Sequence, residues 1–160
     1  MADRYKFQFS SALVPGVVSV DGYVATGSSG AVLNTAAGTN LNAAGLPLYL
    51  PKGVLSITRN STGKYTIALG SPNTQASVSG VDTYWDLLSC KATPVCPSAT
   101  DIKDQVVSWN LTSPGGSPGS TGQYMSSLVI QFVNSSGSAV DPPNGGGFLL
   151  HIKLKNSSVV

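Results

Sequence analysis

Apolar and polar positions alternate with a period of two in several short stretches of this chain, the pattern of strands with one buried face. Tyr5, Phe7 and Phe9 alternate with Arg4, Lys6 and Gln8, and Gly16 to Val24 (GVVSVDGYV) follows as a second extended piece. Val54 to Arg59 and Lys64 to Leu69 flank the loop Asn60-Ser61-Thr62-Gly63. Two β-rich runs around a short loop whose glycine can take a positive φ predict a hairpin. Further strands are expected at 84–89, 105–111, 128–133 and 148–154. In the last, Phe148, Leu150, Ile152 and Leu154 alternate with Leu149, His151, Lys153 and Lys155, so its second face should be largely wet. The intervening stretches, such as SPNTQASVSG and SPGGSPGSTG, are rich in turn formers. Short strands with such punctuation predict an all-β chain, a single β-sandwich or jelly-roll-like domain.

The stretch from 25 to 45 breaks the pattern. It reads ATGSSGAVLNTAAGTNLNAAG, with only Val32, Leu33 and Leu41 to bury. That is too little apolar area to offset the entropy of ordering about twenty residues. The division expected is therefore an N-terminal arm and Gly/Ala/Asn-rich linker over 1–50 and a sandwich domain over 51–160. The arm carries apolar area at Tyr5, Phe7, Phe9, Leu13, Val14, Val17, Val18 and Val20. These eight are the candidate partner-binding residues, since a tethered apolar segment can add a strand to another chain. The alternative is that residues 5–24 are simply the first two strands of the same sandwich.

Composition narrows the chemistry. Charged residues make up 10% of the 160, against about 25% in a typical soluble domain, and all seven acids are Asp. Ser (23), Thr (12), Asn (9) and Gly (18) supply the polarity, which disfavours helices. Nine Lys and Arg residues are spread singly, so no basic stripe marks a nucleic-acid partner. No apolar run approaches a transmembrane helix, so no membrane partner is expected. MADRYKFQFSSALVP lacks a continuous apolar run of the signal-peptide kind, and synthesis in a cytoplasm is the expectation. Cys90 and Cys96 are then expected as free thiols: five intervening residues would let a bridge form, but a reducing compartment argues against one. The four Asn-x-Ser/Thr sequons, at Asn60, Asn110, Asn134 and Asn156, follow from a composition rich in these residues.

Catalytic constellations are thin. His151 is the only histidine, which rules out multi-histidine metal sites, and its alternating strand beside Lys153 makes it a surface residue. Asp82 with Asp86, or Asp101 with Asp104, could pair acids, but their surroundings suit strand ends and turns, and Glu is absent. Gly145-Gly146-Gly147 precedes a strand, with no Gly-Lys-Ser/Thr after it. The spacing of Cys90 and Cys96 is wrong for a metal knuckle. Trp85 and Trp109 sit in apolar strands and are expected in the core. The expectation is a protein without enzymatic activity, cofactor or metal.

The phrases ADRYKFQFSSALVP, ITRNSTGKYTIAL and AVDPPNGGGFLLHIKLKNSSV resemble small structural proteins encoded in the virion clusters of tailed bacteriophages. They cover about half the chain. The resemblance implies a head decoration (cement) protein, often a β-sandwich or jelly-roll trimer clamped onto the capsid. It implies the major capsid protein and further copies of this chain, as a homotrimer, as partners, and the virion surface as location. Proteins of similar composition also serve in tails and fibres, and jelly rolls also serve as carbohydrate- or receptor-binding modules. Exposed Tyr or Trp beside Asp and Asn in a groove would favour the saccharide. Apolar patches on the arm and at one end of the sandwich would favour the capsid.

Overall fold

A computed structural model of the chain describes residues 10–14, 17–69, 85–97, 102–112 and 124–156. Its strands are β1 (Ser10–Val14), β2 (Val17–Ala25), β3 (Val54–Ser61), β4 (Lys64–Leu69), β5 (Trp85–Val95), β6 (Lys103–Thr112), β7 (Tyr124–Val133) and β8 (Gly147–Asn156). The described residues contain no α-helix, only one 3-10 turn at Ser28–Gly30. The chain is all-β.

The strands pair into two antiparallel ladders, β1-β2-β8-β5 and β3-β4-β7-β6. A single parallel pair, Trp85 with Tyr124, joins β5 to β7 and makes the network continuous. The chain passes between ladders after β2, β4, β5 and β7, so neither ladder is built from one run of sequence.

Period-two alternation lets both ladders contribute side chains to one core. Val20 and Val24 of β2, Ala92 of β5, and Phe148, Leu150, Ile152 and Leu154 of β8 meet Val54, Ile57, Tyr65, Ile67, Leu69, Leu128, Ile130 and Phe132 from the other ladder. Three rings lock its centre: Phe148 lies 5.1 Å from Phe132 and 5.6 Å from Tyr65, and Tyr65 stands edge-on to Phe132 at 5.7 Å. Such ring pairs contribute about 0.5–1.5 kcal/mol each beyond the area they bury.

The β3–β4 hairpin turns as its sequence predicts, with Gly63 at φ 66°. A Cβ there would come within 2.5 Å of the Phe132 carbonyl oxygen, so glycine is required by both conformation and space. The Gly63 carbonyl accepts the Phe132 N–H at 2.7 Å, which ties the hairpin to β7.

Two expectations need correction. The stretch 17–25 is not an arm: β2 is an interior strand, paired with β8 over nine residues and with β1 on its other side. Val20 is 4% exposed within the chain's own core. The stretch 25–45 is not a bare linker either. Its few apolar residues are supplemented by hydrogen bonds made by Asn, Thr and the main chain, which hold it against the sheet. Cys90 lies within β5 and Cys96 just beyond its end, both without a disulfide. Six residues of extended chain separate their Cα atoms by about 20 Å, far beyond the reach of a bridge. Strand geometry forbids pairing within the chain.

Candidate interaction surface

Residues 31–51 form a lobe beside β2. Its ends approach each other through a bridge between Thr35 and Tyr49, and Leu41 pairs with Pro47 farther out. Asn42 closes the tip: its Oδ1 accepts the N–H groups of Ala44 and Leu46, both at 2.9 Å. Its main chain accepts from Gly45 and donates to Leu46. The Thr35 hydroxyl accepts the Thr39 N–H at 3.1 Å, and the Asn40 amide donates to the Leu33 carbonyl at 2.7 Å. Polar side chains thus satisfy a backbone that has little core beneath it.

Three large apolar side chains stand on this scaffold in solvent. Leu41, Leu46 and Tyr49 are 59%, 60% and 59% exposed. The Tyr49 ring rests against Gly38, where a Cβ would come within 2.5 Å of Cε1 and where φ is 61°. Tyr49 is therefore braced on one face and open on the other.

Between lobe and sheet lie two clefts that share Tyr23 and Leu48. One, of about 230 Å³, is bounded by Gly22, Pro47, Tyr49, Leu50 and Pro51, and the other, of about 410 Å³, by Leu33, Leu41, Ala43, Ala44 and Gly146. The polar groups near them are spent internally. The Tyr23 hydroxyl donates to the Gly146 carbonyl at 3.0 Å, and burial raises its pKa. The Thr26 hydroxyl donates to the Pro143 carbonyl at 3.1 Å. Asn34 spends both ends of its amide, and Asn42 its Oδ1, on the chain's own backbone. What remains to offer a ligand is mostly apolar surface.

A polar staple that sequence reading missed reaches, through Tyr65, the Gly30 carbonyl just before the lobe. Asp141, on the loop between β7 and β8, takes Arg59 of β3 in a fork, Nε at 3.0 Å and Nη2 at 2.7 Å. It also accepts the Gly63 N–H at 2.7 Å. The Tyr65 hydroxyl shares its proton between the Gly30 carbonyl at 2.9 Å and Asp141 Oδ1 at 3.2 Å. Burial alone would raise the Asp141 pKa. The Arg59 guanidinium, the Gly63 N–H and the Tyr65 hydroxyl outweigh it, and the net displacement is downward. The Tyr65 phenol is pushed well above its ordinary range, by burial first and by the Asp141 charge second. No spacing in the sequence points to this cluster, because Arg59 and Asp141 are 82 residues apart.

The sequence-predicted residues are scattered. Tyr5, Phe7 and Phe9 lie outside the described residues. Leu13 and Val14 belong to β1 at the ladder edge, Val17 and Val18 to β2 opposite Lys155 and Leu154, and Val20 to the core. Val20 is therefore not a docking residue. Asp86 stands at the entry of β5, as its surroundings predict, and Asp104 at the start of β6 rather than in a turn, while Asp82 and Asp101 fall outside the described residues. Trp85 and Trp109 are placed on β5 and β6.

His151 sits on the outer face of β8, flanked in register by Asp21 on β2 and Lys91 on β5. Its Nδ1 contacts Asp21 Oδ1, with both side chains over two-fifths exposed. Among the described residues no three His, Cys or Asp side chains gather as a metal-binding group, and no helix is long and apolar enough to cross a membrane. No family model matches the chain, and neither does any curated protein sequence or solved structure.

Proposed function

We propose that this chain is a non-enzymatic structural protein of a phage virion, which decorates the head by binding the major capsid protein through the 31–51 lobe. The observation that carries this reading is the lobe itself: a hydrogen-bonded scaffold presenting Leu41, Leu46 and Tyr49 to solvent. Exposed apolar side chains on an ordered loop are costly in isolation and mark interaction sites. Preorganisation lowers the entropy lost on docking. The phrase-level resemblance to tailed-phage virion proteins names the capsid as the partner.

The two ladders are read as the layers of a β-sandwich, with side chains of both meeting in one core. Pairing is nested, β4 with β7 inside β2 with β8, which is how a jelly roll winds a long hairpin. Self-association into a trimer completes the reading and rests on the resemblance. The saccharide-binding alternative is less well supported, because the Asn34 amide, the Asn42 Oδ1 and the Tyr23 and Thr26 hydroxyls around the clefts are already engaged by the chain's own backbone. A sugar site needs such groups free to fix orientation.

The test is a reconstruction of the particle that carries this chain. Density for the two-ladder domain on the head lattice, with the lobe against the major capsid protein, is expected. Density only on the tail or its fibres would overturn the assignment.

A further inference from the structure

The side of β2 that faces away from β8 is divided between two partners. β1 takes it as far as Val20, opposite Ser10. From Asp21 to Ala25, β2 pairs with β8 on one side, and no described strand takes the other. Successive residues of a strand turn their main-chain groups to alternate sides, so those of Asp21, Tyr23 and Ala25 face away from β8.

Asn34 occupies that position. Its Oδ1 accepts the Ala25 N–H at 2.6 Å, and its Nδ2 donates to the Tyr23 carbonyl at 2.9 Å and to the Tyr49 carbonyl at 2.6 Å. The Leu33 N–H donates to the Ala25 carbonyl at 3.0 Å. A carboxamide carries an acceptor and donors in one plane, as a peptide group does. Asn34 thus presents to β2 what a neighbouring strand would, and at 6% exposure it does so away from water.

We infer that Asn34 is an edge cap, which closes β2 to strand addition by a second copy of the chain. An unpaired edge is a template for another chain, and here it would border the apolar clefts around Tyr23, Leu33 and Leu48. Removing the carboxamide uncovers the Tyr23 carbonyl and the Ala25 N–H together. The inference is independent of what the lobe binds.

The test compares Asn34→Ala with the parent and with Asn40→Ala by analytical ultracentrifugation over a range of concentrations. Asn40 bonds to the same lobe, at the Leu33 carbonyl, without touching the β2 edge. Asn34→Ala should show a mass above the parent's that climbs with concentration, while Asn40→Ala follows the parent. Adding Asp21→Pro should then suppress the association, because proline removes an edge N–H while leaving the β8 ladder intact. Association driven by misfolding would instead grow, since proline only destabilises. Asn34→Asp, which keeps the acceptor and loses both donors, serves as the milder variant in the same comparison. Parent-like mass in both Asn34 variants, or association that Asp21→Pro leaves undiminished, would overturn the inference.

Discussion

Asp141 and Asp21 each meet a cationic or potentially cationic partner across strands far apart in sequence, yet they do different work. Asp141 is 16% exposed and Arg59 28%, and the carboxylate also holds Gly63 and Tyr65. Asp21 and His151 are 44% and 43% exposed and lie on an open strand face. The first ties together β3, the hairpin turn, β4, the β7–β8 loop and, through Tyr65, the 3-10 turn at Gly30. The second joins two strands that the β2–β8 ladder already joins. Connectivity and desolvation, not the bare presence of an ion pair, decide which one the fold depends on.

Substitutions make the contrast measurable. Asp141→Ala leaves the Gly63 N–H and the Arg59 guanidinium without their acceptor and should cost about 2–4 kcal/mol in denaturant unfolding. Tyr65→Phe keeps the ring packing and loses only the hydroxyl's bonds, an expected cost of about 1–2 kcal/mol by the same measurement. Asp21→Ala should stay within about 1 kcal/mol of the parent. If Asp21→Ala proved as costly as Asp141→Ala, the contrast would collapse.

Acid titration sharpens it further. The Asp141 pKa is depressed in the folded chain, so its stabilisation is fully present above the unfolded value of about 3.9 and is lost as pH falls through the lower folded value. Unfolding free energies measured from about pH 5 down to about pH 3 should therefore fall more steeply for the parent than for Asp141→Asn. Parallel slopes would show that Asp141 contributes no such linkage.

How far the sequence foretold these regions follows from the range of the interactions. The β3–β4 hairpin and the alternation of β8 were legible because they are local: a glycine at the turn, and a period of two with Phe148, Leu150, Ile152 and Leu154 buried. For β5 the sequence predicts a strand only over 84–89, followed by the turn-rich KATPVCPSAT. It continues to Val95 because it lies at the end of its ladder, where proline's missing N–H is tolerated. Apolar area alone leaves the lobe too little to fold against and so predicts a linker. Its order comes from Asn34, Asn42 and Thr35, whose side chains supply bonds that composition does not reveal. The Asp141 staple was invisible, since it assembles only when the ladders close.

The claim at the centre of this account is that the lobe docks on the capsid, and one binding measurement addresses it. Heads stripped of this chain are titrated with the parent and with a Leu41→Asp, Leu46→Asp, Tyr49→Ser variant, and bound protein is read by co-sedimentation. These side chains are mostly in solvent, so the variant should fold and melt as the parent does while losing its binding to heads. Undiminished binding by a folded variant would contradict the account and move the docking surface elsewhere on the molecule.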